Sequence, residues 1–431
     1  MKSSFIIAAP YSGSGKTTIT IGIIRALHNR GLKVQPFKCG PDYLDPFHHE
    51  VAANRYSYNL DVFMSSEEHV REVFMSESLS ANVSVVEGAM GMFDGADSSI
   101  GSAAHLAKVL NIPVVLVVDA RAMAYSAAPL LFGFKNFDKD IRIAGVIFNF
   151  VKTESHYSFL KQAAEDVGIT SLGYLPPNSD IKIESRYLGL KIDDKELYEH
   201  IVDEASKHIE THINLDLLLQ STQTSQIALP SQAPLNDKKI KIAIARDEAF
   251  NFFYRENIKQ FERVGQIIYF SPLSDQELPD VDFVYFAGGY PELYLDKLSA
   301  NLSMKKSIKD YVEAGGKLLA ECGGMMYLGS KIIDNNGKGY DMAGVFNYST
   351  SLQNSKLSLG YRTVNYNGNI IKGHEFHYSK YSCSDDNKTT ANVTNAKGIV
   401  IDSPVFRLKN AVASYIHFYW GEVDIFQVFS I

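Results

Sequence analysis

From the amino terminus to about residue 205, short apolar runs alternate with stretches whose apolar residues recur at helical spacing. Phe5-Ile6-Ile7-Ala8 predicts a buried strand. Thr17 to Arg30 then places Ile19, Ile23, Ala26 and Leu27 on one helical face, with Gly31 as its C-terminal cap. Further strands are predicted at 33–38, 83–87, 114–119 and 143–149. Runs such as VVLVVDA are apolar on both faces, as a parallel sheet covered by helices on each side requires. The alternation predicts a doubly wound α/β domain over 1–220. Residues 221–238 are rich in Ser, Thr, Gln and Pro and predict a linker. A second α/β series over 239–431 follows, with strands at 240–245, 266–270, 281–287 and 317–320. Clusters of Asn, Gly and Lys at 334–339 and 384–397 predict hairpin or loop tips.

Composition narrows the partners. The 431 residues carry 42 Lys and Arg against 49 Asp and Glu, a net charge of −7, which argues against gripping nucleic acid or an anionic membrane. A local basic site for a small anion is still compatible with that balance. Three cysteines, Cys39, Cys322 and Cys383, build neither a disulfide framework nor a CxxC zinc pair. The apolar run from Phe5 to Pro10 is too short for a secretory segment, and no stretch approaches the ~20 apolar residues of a spanning helix. A cytoplasmic location is the expectation.

Ala9-Pro10-Tyr11-Ser12-Gly13-Ser14-Gly15-Lys16-Thr17-Thr18 leaves the first predicted strand and opens the first helix, the context of a nucleotide phosphate loop. Gly13 and Gly15 let the backbone N–H groups face phosphate oxygens. Lys16 would neutralise the β- and γ-phosphates, and the Thr17 hydroxyl would reach Mg²⁺. The strict pattern has Gly where this chain has Pro10. Two acidic segments follow at predicted strand ends, Lys38-Cys39-Gly40-Pro41-Asp42-Tyr43-Leu44-Asp45 and Glu87-Gly88-Ala89-Met90-Gly91-Met92-Phe93-Asp94. Glu87 fits the second Mg²⁺ ligand, and Asp42 or Asp45 could complete the shell; helix or turn capping is the competing role for all three. His48 and His49 read as surface or substrate-contact residues. Asn149 and Pro176-Pro177, late in the predicted sheet, are placed to hold a nucleotide base, with a structural cap as the alternative for Asn149.

In the second series, Lys317 to Glu321 is an apolar strand, Cys322 is flanked by small residues, and a helical pattern starts at Gly323. That is the layout of a nucleophile elbow, whose following helix N-terminus favours the thiolate. The Gly323 N–H can face the oxyanion formed on carbonyl attack, and the Gly288-Gly289-Tyr290-Pro291-Glu292 loop could give a second N–H, from Gly289. The thiol needs a base from elsewhere in the fold. His417, at the end of the apolar run Ala413 to Ile416, is one candidate; His374 and His377 are its rivals.

APYSGSGKTT, QPFKCGPDYLDP, EGAMGMFDG, SRYLGL, FSPLSD, GGYPE, AECGGMMYL, GHEFHYS and SYIH, in this order, resemble the cobyrinate and cobyric acid synthase family of glutamine amidotransferases over nearly the whole chain. The first domain is similar to dethiobiotin synthetase and its relatives, the second to class I glutamine amidotransferases. The resemblance implies that Cys322 attacks the glutamine amide with His417 as base, and that ammonia displaces phosphate from an ATP-activated carboxylate. It implies that Lys16, Thr17, Asp42, Asp45, Glu87 and Asp94 belong to the ATP–Mg²⁺–carboxylate site, with Tyr43 and Leu44 beside it against the corrin. The implied substrates are ATP, glutamine and a corrinoid polycarboxylate amidated at its a- and c-acetate groups. Hydrogenobyrinate or nickel-sirohydrochlorin are alternative macrocycles, and a partition-type P-loop ATPase is a remote alternative that would carry a Lys where Tyr11 stands. A homodimer is compatible with the resemblance. The chain departs from the family at Ala9, for the first loop Gly, and at Tyr187, for a His. Phe-Tyr rather than Pro-Glu follows His417, so Glu292 and Glu375 are only guesses at a third catalytic member.

An ionised carboxylate is a poor electrophile, so making an amide from it needs activation, and the phosphate loop provides that. Ammonia is mostly protonated near neutral pH, so releasing it inside a protein keeps it nucleophilic. The two modules make sense in one chain.

Overall fold

The computed structural model describes residues 2–181, 195–224, 240–383 and 391–431. The motif at 185–190 and positions 225–238 of the expected linker lie outside the described residues. The chain divides into an N-terminal and a C-terminal compact unit.

The first unit is built on β1 (Lys2–Ala8), β2 (Val34–Cys39), β3 (Tyr58–Leu60), β4 (Val83–Glu87), β5 (Val114–Asp119), β6 (Ile143–Asn149) and β7 (Ser171–Leu175). These pair in parallel in the order β3-β2-β4-β1-β5-β6-β7. Alternate residues of β1 face opposite cores: Phe5 and Ile7 pack with Ile19, Ile23 and Ile209, while Ile6 and Ala8 pack with Leu106, Leu116 and Phe148. Two buried faces explain why these strands read as unbroken apolar runs. The chain leaves β1 for β2 on one side and reaches β5 on the other, so the sheet's switch point falls at the C-terminal end of β1.

The helix predicted at Thr17 to Arg30 runs over Lys16–Asn29, and Gly31 closes it with φ of +81° and its N–H donating to His28 O at 2.8 Å. The start of the expected linker is folded. Ser221 ends the helix Leu215–Ser221, and β8 (Gln223–Thr224) pairs antiparallel with Lys2 and Ser3 of β1. The polar composition there reflects an edge position beside β1's first residues.

The second unit holds β9 (Ile240–Ala245), β10 (Gly265–Phe270), β11 (Phe283–Phe286) and β12 (Lys317–Glu321). Then come β13 (Lys331–Ile333), β14 (Gly339–Asp341), β15 (Tyr348–Ser351), β16 (Ser358–Tyr366), β17 (Asn369–His377) and β18 (Lys380–Cys383). The last four are β19 (Asn392–Asn395), β20 (Val405–Leu408), β21 (Ala411–Ser414) and β22 (His417–Tyr419). The main sheet, β10-β9-β11-β12-β21-β20, is parallel except for β20. Two four-stranded sheets, β14-β13-β15-β18 and β19-β16-β17-β22, accompany it. Residues 334–339 form the expected hairpin tip, where Asp334 Oδ1 accepts from the Asn336 and Lys338 N–H groups. Of the expected loop at 384–397, residues 384–390 lie outside the described residues and 392–395 are strand. Asn392 to Asn395 pair with β16, and the Asn395 carboxamide forms the turn after them, accepting from the Lys397 and Ile399 N–H groups.

Phe261, on the helix Arg255–Val264, is the centre of an aromatic cluster with Phe283 at 5.7 Å, Tyr285 at 5.5 Å and Trp420 at 5.6 Å between ring centroids. Replacing Phe261 by alanine should cost the second unit about 3–5 kcal/mol, through lost burial and the cavity left behind. Urea unfolding followed by the fluorescence of Trp420 measures it; a loss under about 1 kcal/mol would mean the cluster collapses around the gap.

Candidate functional site

In the first unit the residues after β1 curl into a loop that ends at the helix Lys16–Asn29. Gly13 and Gly15 hold φ of +85° and +90°, a region that disfavours side chains. A Cβ on Gly15 would also stand 2.2 Å from Asn149 Nδ2. Asn149 ends β6 and donates from Nδ2 to Ser14 O at 2.9 Å, while its Oδ1 accepts the Phe150 N–H at 2.9 Å. The Nδ2 end of the Asn149 amide therefore braces the loop. Ser14 Oγ donates to Tyr11 O at 2.9 Å, and Thr18 lies in the helix's first turn. Pro176 O accepts from His208 at 2.9 Å.

Thr17 Oγ1 donates to Glu87 Oε1 at 2.6 Å, bringing the helix start and the end of β4 together. Lys16 Nζ donates to Met90 O at 2.6 Å, and Met90 holds a φ of +45°. Glu87 is at the centre of a buried charge cluster. Its Oε2 meets His49 Nε2 at 2.7 Å, and its Oε1 lies 3.3 Å from Lys38 Nζ, which also pairs with Asp45 at 2.6 Å. His49 Nδ1 is 3.1 Å from Ser57 Oγ. Burial and Asp45 push the Glu87 carboxyl up, but Lys38 and His49 outweigh them and hold it below the usual carboxylate range. Burial opposes the charge on Lys38, yet Asp45 and Glu87 hold its pKa above the ordinary value. His48 and His49 are buried, so the surface reading of this pair is corrected. The charge of Asp42 also acts on Lys38. Asp42 Oδ1 accepts from the Leu44 and Asp45 N–H groups at 3.0 and 3.2 Å and starts the helix Leu44–Ala53, while Tyr43 and Leu44 are half-buried at that helix start. Asp94 Oδ2 accepts the Gly91 N–H at 3.0 Å and closes the loop after β4. The hydroxyl of Thr17 and the carboxylate of Glu87 form a pair of hard oxygen donors beside the phosphate loop, the protein share a Mg²⁺ ion takes when phosphates and waters fill its other positions.

In the second unit, Cys322 follows β12 with φ 44° and ψ −104° and starts the helix Gly323–Leu328. A non-glycine residue at such angles is strained by ~1–3 kcal/mol and is held there by its surroundings. The Cys322 N–H donates to Ser414 O at 2.8 Å and the Gly324 N–H to Ala287 O at 3.1 Å. A Cβ on Gly323 would stand 3.1 Å from Gly289 N, so the two expected oxyanion donors are neighbours. A Cβ on Gly289 would stand 2.1 Å from Ala249 O, so only glycine fits.

The thiolate expected at Cys322 is not favoured. Burial, joined by the charge of Glu292, pushes the thiol well above its ordinary value, and the Gly323 N–H pulls back only in part. The short helix is outweighed by desolvation. Cys322 is thus a thiol that needs a base. His417 begins β22 instead of ending the preceding strand, because Ser414 closes the pairing with β12 and Tyr415-Ile416 cross to the other sheet. Its imidazole is buried against Gly288, where a Cβ would stand 2.1 Å from His417 Cε1. Burial, then His374 and His377, push its pKa well down, so its ring is uncharged at neutral pH.

β17 passes both groups: its His374 is the cross-strand partner of His417, and its Phe376 carbonyl lies 4.0 Å from Cys322 Sγ. Glu321 Oε1, one residue before Cys322, accepts the N–H of Phe418, one residue after His417, at 3.2 Å, and Tyr285 Oη holds its other oxygen at 2.8 Å. Of the two acids singled out as a third member, Glu375 is committed to Arg362 at 2.8 and 3.0 Å. Glu292 is close enough to raise Cys322 and is itself pushed up to about 7 by burial. His377 stacks on Tyr415 at 3.8 Å.

Sequence reasoning missed Lys38, Glu321 and Tyr285. The only signal for Lys38 and Glu321 was a charged residue closing an apolar strand.

A phosphate-loop unit and a cysteine-elbow unit in one chain define the class: a nucleotide-dependent enzyme coupled to a glutamine amidotransferase half. Residues 5–190 match the CobQ/CobB/MinD/ParA nucleotide binding domain, and residues 241–424 match the CobB/CobQ-like glutamine amidotransferase domain. The chain is 42% identical to the cobyrinate a,c-diamide synthase of Picrophilus torridus over 97% of its length and 96% of that protein's. It is 40% identical to that of Caldanaerobacter subterraneus over 96% and 94%, and 38% identical to that of Listeria innocua over 99% of both. The chain belongs to the cobyrinate a,c-diamide synthase family, whose activity is that of a glutamine-dependent ligase.

Proposed function

We propose that this enzyme converts the a- and c-acetate carboxylates of cobyrinate to amides, consuming ATP and glutamine, as a step of cobalamin biosynthesis. The observation that carries the proposal is the strained Cys322 turn in the same chain as a phosphate loop whose Thr17 meets Glu87. Cys322 Sγ attacks the glutamine side-chain carbonyl and His417 takes the thiol proton. The Gly323 and Gly289 N–H groups face the oxyanion. The proton passes to the departing ammonia, and water hydrolyses the thioester with His417 again as base. In the first unit, a substrate carboxylate oxygen attacks the γ-phosphorus of ATP, and ammonia then attacks the acyl phosphate and expels phosphate.

The phosphate-loop N–H groups and Lys16 orient and neutralise the nucleotide phosphates. Thr17 and Glu87 would hold Mg²⁺, which supplies charge neutralisation for the phosphates. Lys38, buried between Asp45 and Glu87, holds those two carboxylates beside the phosphate loop. The enzyme works on small molecules in the cytoplasm. Among the described residues no helix is long and apolar enough to cross a membrane.

The test supplies purified enzyme with ATP, Mg²⁺, glutamine and cobyrinate, in parallel with hydrogenobyrinate and nickel-sirohydrochlorin. Mass spectrometry should show one and then a second carboxyl-to-amide change on cobyrinate, with ADP formed. Amidation of one of the other macrocycles alone would overturn the substrate assignment.

A further inference from the structure

Many acid–base pairs orient their base through a third group, commonly a carboxylate hydrogen-bonded to it. In this fold the feature packed on the base is a second imidazole. His374 on β17 is the direct cross-strand partner of His417 on β22, and the two rings stack with centroids 5.0 Å apart and planes 18° apart. Directly opposed side chains on an antiparallel pair are close enough to pack face to face. Gly373 makes that approach possible, since a Cβ there would stand 2.1 Å from His417 O. Behind the stack, Tyr254 Oη and His374 Nδ1 are 2.7 Å apart. Tyr254 is the residue before the helix Arg255–Val264 and also packs edge-on against Tyr419, two residues beyond His417. All three side chains are almost fully enclosed, with exposures of 1% for Tyr254, 3% for His374 and 1% for His417.

We propose that His374, backed by Tyr254, is the positioning residue of the glutamine-hydrolysing site, fixing the ring plane of His417 by stacking. The proposal rests on the reading of Cys322 and His417 as the glutaminase pair and adds the device that aims the base. Burial, joined by Arg362, pushes the His374 pKa down to about 3, so at neutral pH this ring is uncharged and does not compete for the proton. The hydrogen bond between Tyr254 Oη and His374 Nδ1 sets the orientation of the His374 ring and, through the stack, that of His417. Gly288 lies against the same His417 ring, so the imidazole is bounded by a backbone contact and by an aromatic face.

The test measures glutamine hydrolysis and ammonium-driven amidation of cobyrinate in the full-length enzyme. His374→Ala should lower kcat for glutamine hydrolysis by about 10²-fold through a misaimed base, with KM for glutamine nearly unchanged and the ammonium-driven rate at the parent level. Tyr254→Phe should give a smaller loss. The double variant His374→Phe/Tyr254→Phe restores an aromatic face and leaves no buried hydroxyl unmatched, so it should recover kcat to within about tenfold of the parent. Three results would overturn the proposal: parental kcat in His374→Ala, equal losses with glutamine and with ammonium, or a double variant no better than His374→Ala. Cys322→Ala, run alongside, separates the two readings. Glutamine hydrolysis surviving in Cys322→Ala would remove the glutaminase pair itself, whereas its loss there beside an unaffected His374→Ala removes only the positioning role.

Discussion

Cys322→Ala removes glutamine-dependent amide formation and leaves amide formation from ammonium salts intact. The nucleophile has no substitute. The sulfur is held at the strained turn by Ser414 and Ala287 through the backbone on either side of it, and its neighbours Gly323 and Gly289 supply N–H groups, not side chains that could attack. Loss of a nucleophile in a preorganised site costs at least about 10³-fold in kcat. Cys322→Ser should be nearly as inactive, because a buried hydroxyl is harder still to deprotonate than the raised thiol. Alanine at the elbow keeps the backbone bonds of the turn and leaves the first unit's residues untouched. Ammonium-driven synthesis should therefore proceed at the parental rate and rise with pH, because only unprotonated ammonia attacks. The measurement is the corrinoid product formed per ATP with each nitrogen source. A parallel loss with both would show that Cys322 supports the fold or the ligation step, contradicting the division of labour.

Much of the fold was legible because its central strands are buried on both faces. The runs at 83–87, 114–119, 143–149 and 240–245 coincide with β4, β5, β6 and β9, short, largely apolar stretches rich in β-branched residues. The phosphate loop and the cysteine elbow were legible for a related reason: each is a strand-to-helix turn written in one continuous stretch of sequence. What stayed hidden depends on strand neighbours far apart in sequence. Lys38 meets Glu87 because β2 and β4 are adjacent in register, and nothing near either residue announces it. The same holds for Glu321 with Phe418, and for His374 opposite His417. The charge state of Cys322 was misjudged since a helix end can be seen in sequence, whereas the burial that outweighs it cannot.

Glu87→Gln stops ligation with either nitrogen source while glutamine hydrolysis persists. Glu87 is the residue on which Thr17, Lys38 and His49 converge, so neutralising it changes every partner at once. Its carboxylate is one of two hard oxygens available to the nucleotide's counter-ion, and an amide is the weaker donor. Removing such preorganised charge from a phosphoryl-transfer site costs about 10²–10³-fold. The same cluster bears on stability. Glu87 is held below its ordinary pKa, so its contribution is complete above the unfolded value and is lost as pH falls through the folded one. Lys38 is held above its ordinary pKa, so its contribution is complete below the unfolded value and fades only in strong alkali. At neutral pH both are present in full, and the Gln variant leaves Lys38 buried with Asp45 as its remaining close partner, at a cost of up to about 3–5 kcal/mol. Lys16→Ala distinguishes chemistry from folding. Lys16 lies outside the Lys38–Glu87 ion pair, so that variant should lose ligation to a similar extent while unfolding in urea near the parental midpoint. Ligation that survives in both variants, measured as cobyrinate-dependent ADP release with saturating ammonium, would mean that carboxylate activation happens elsewhere in the chain.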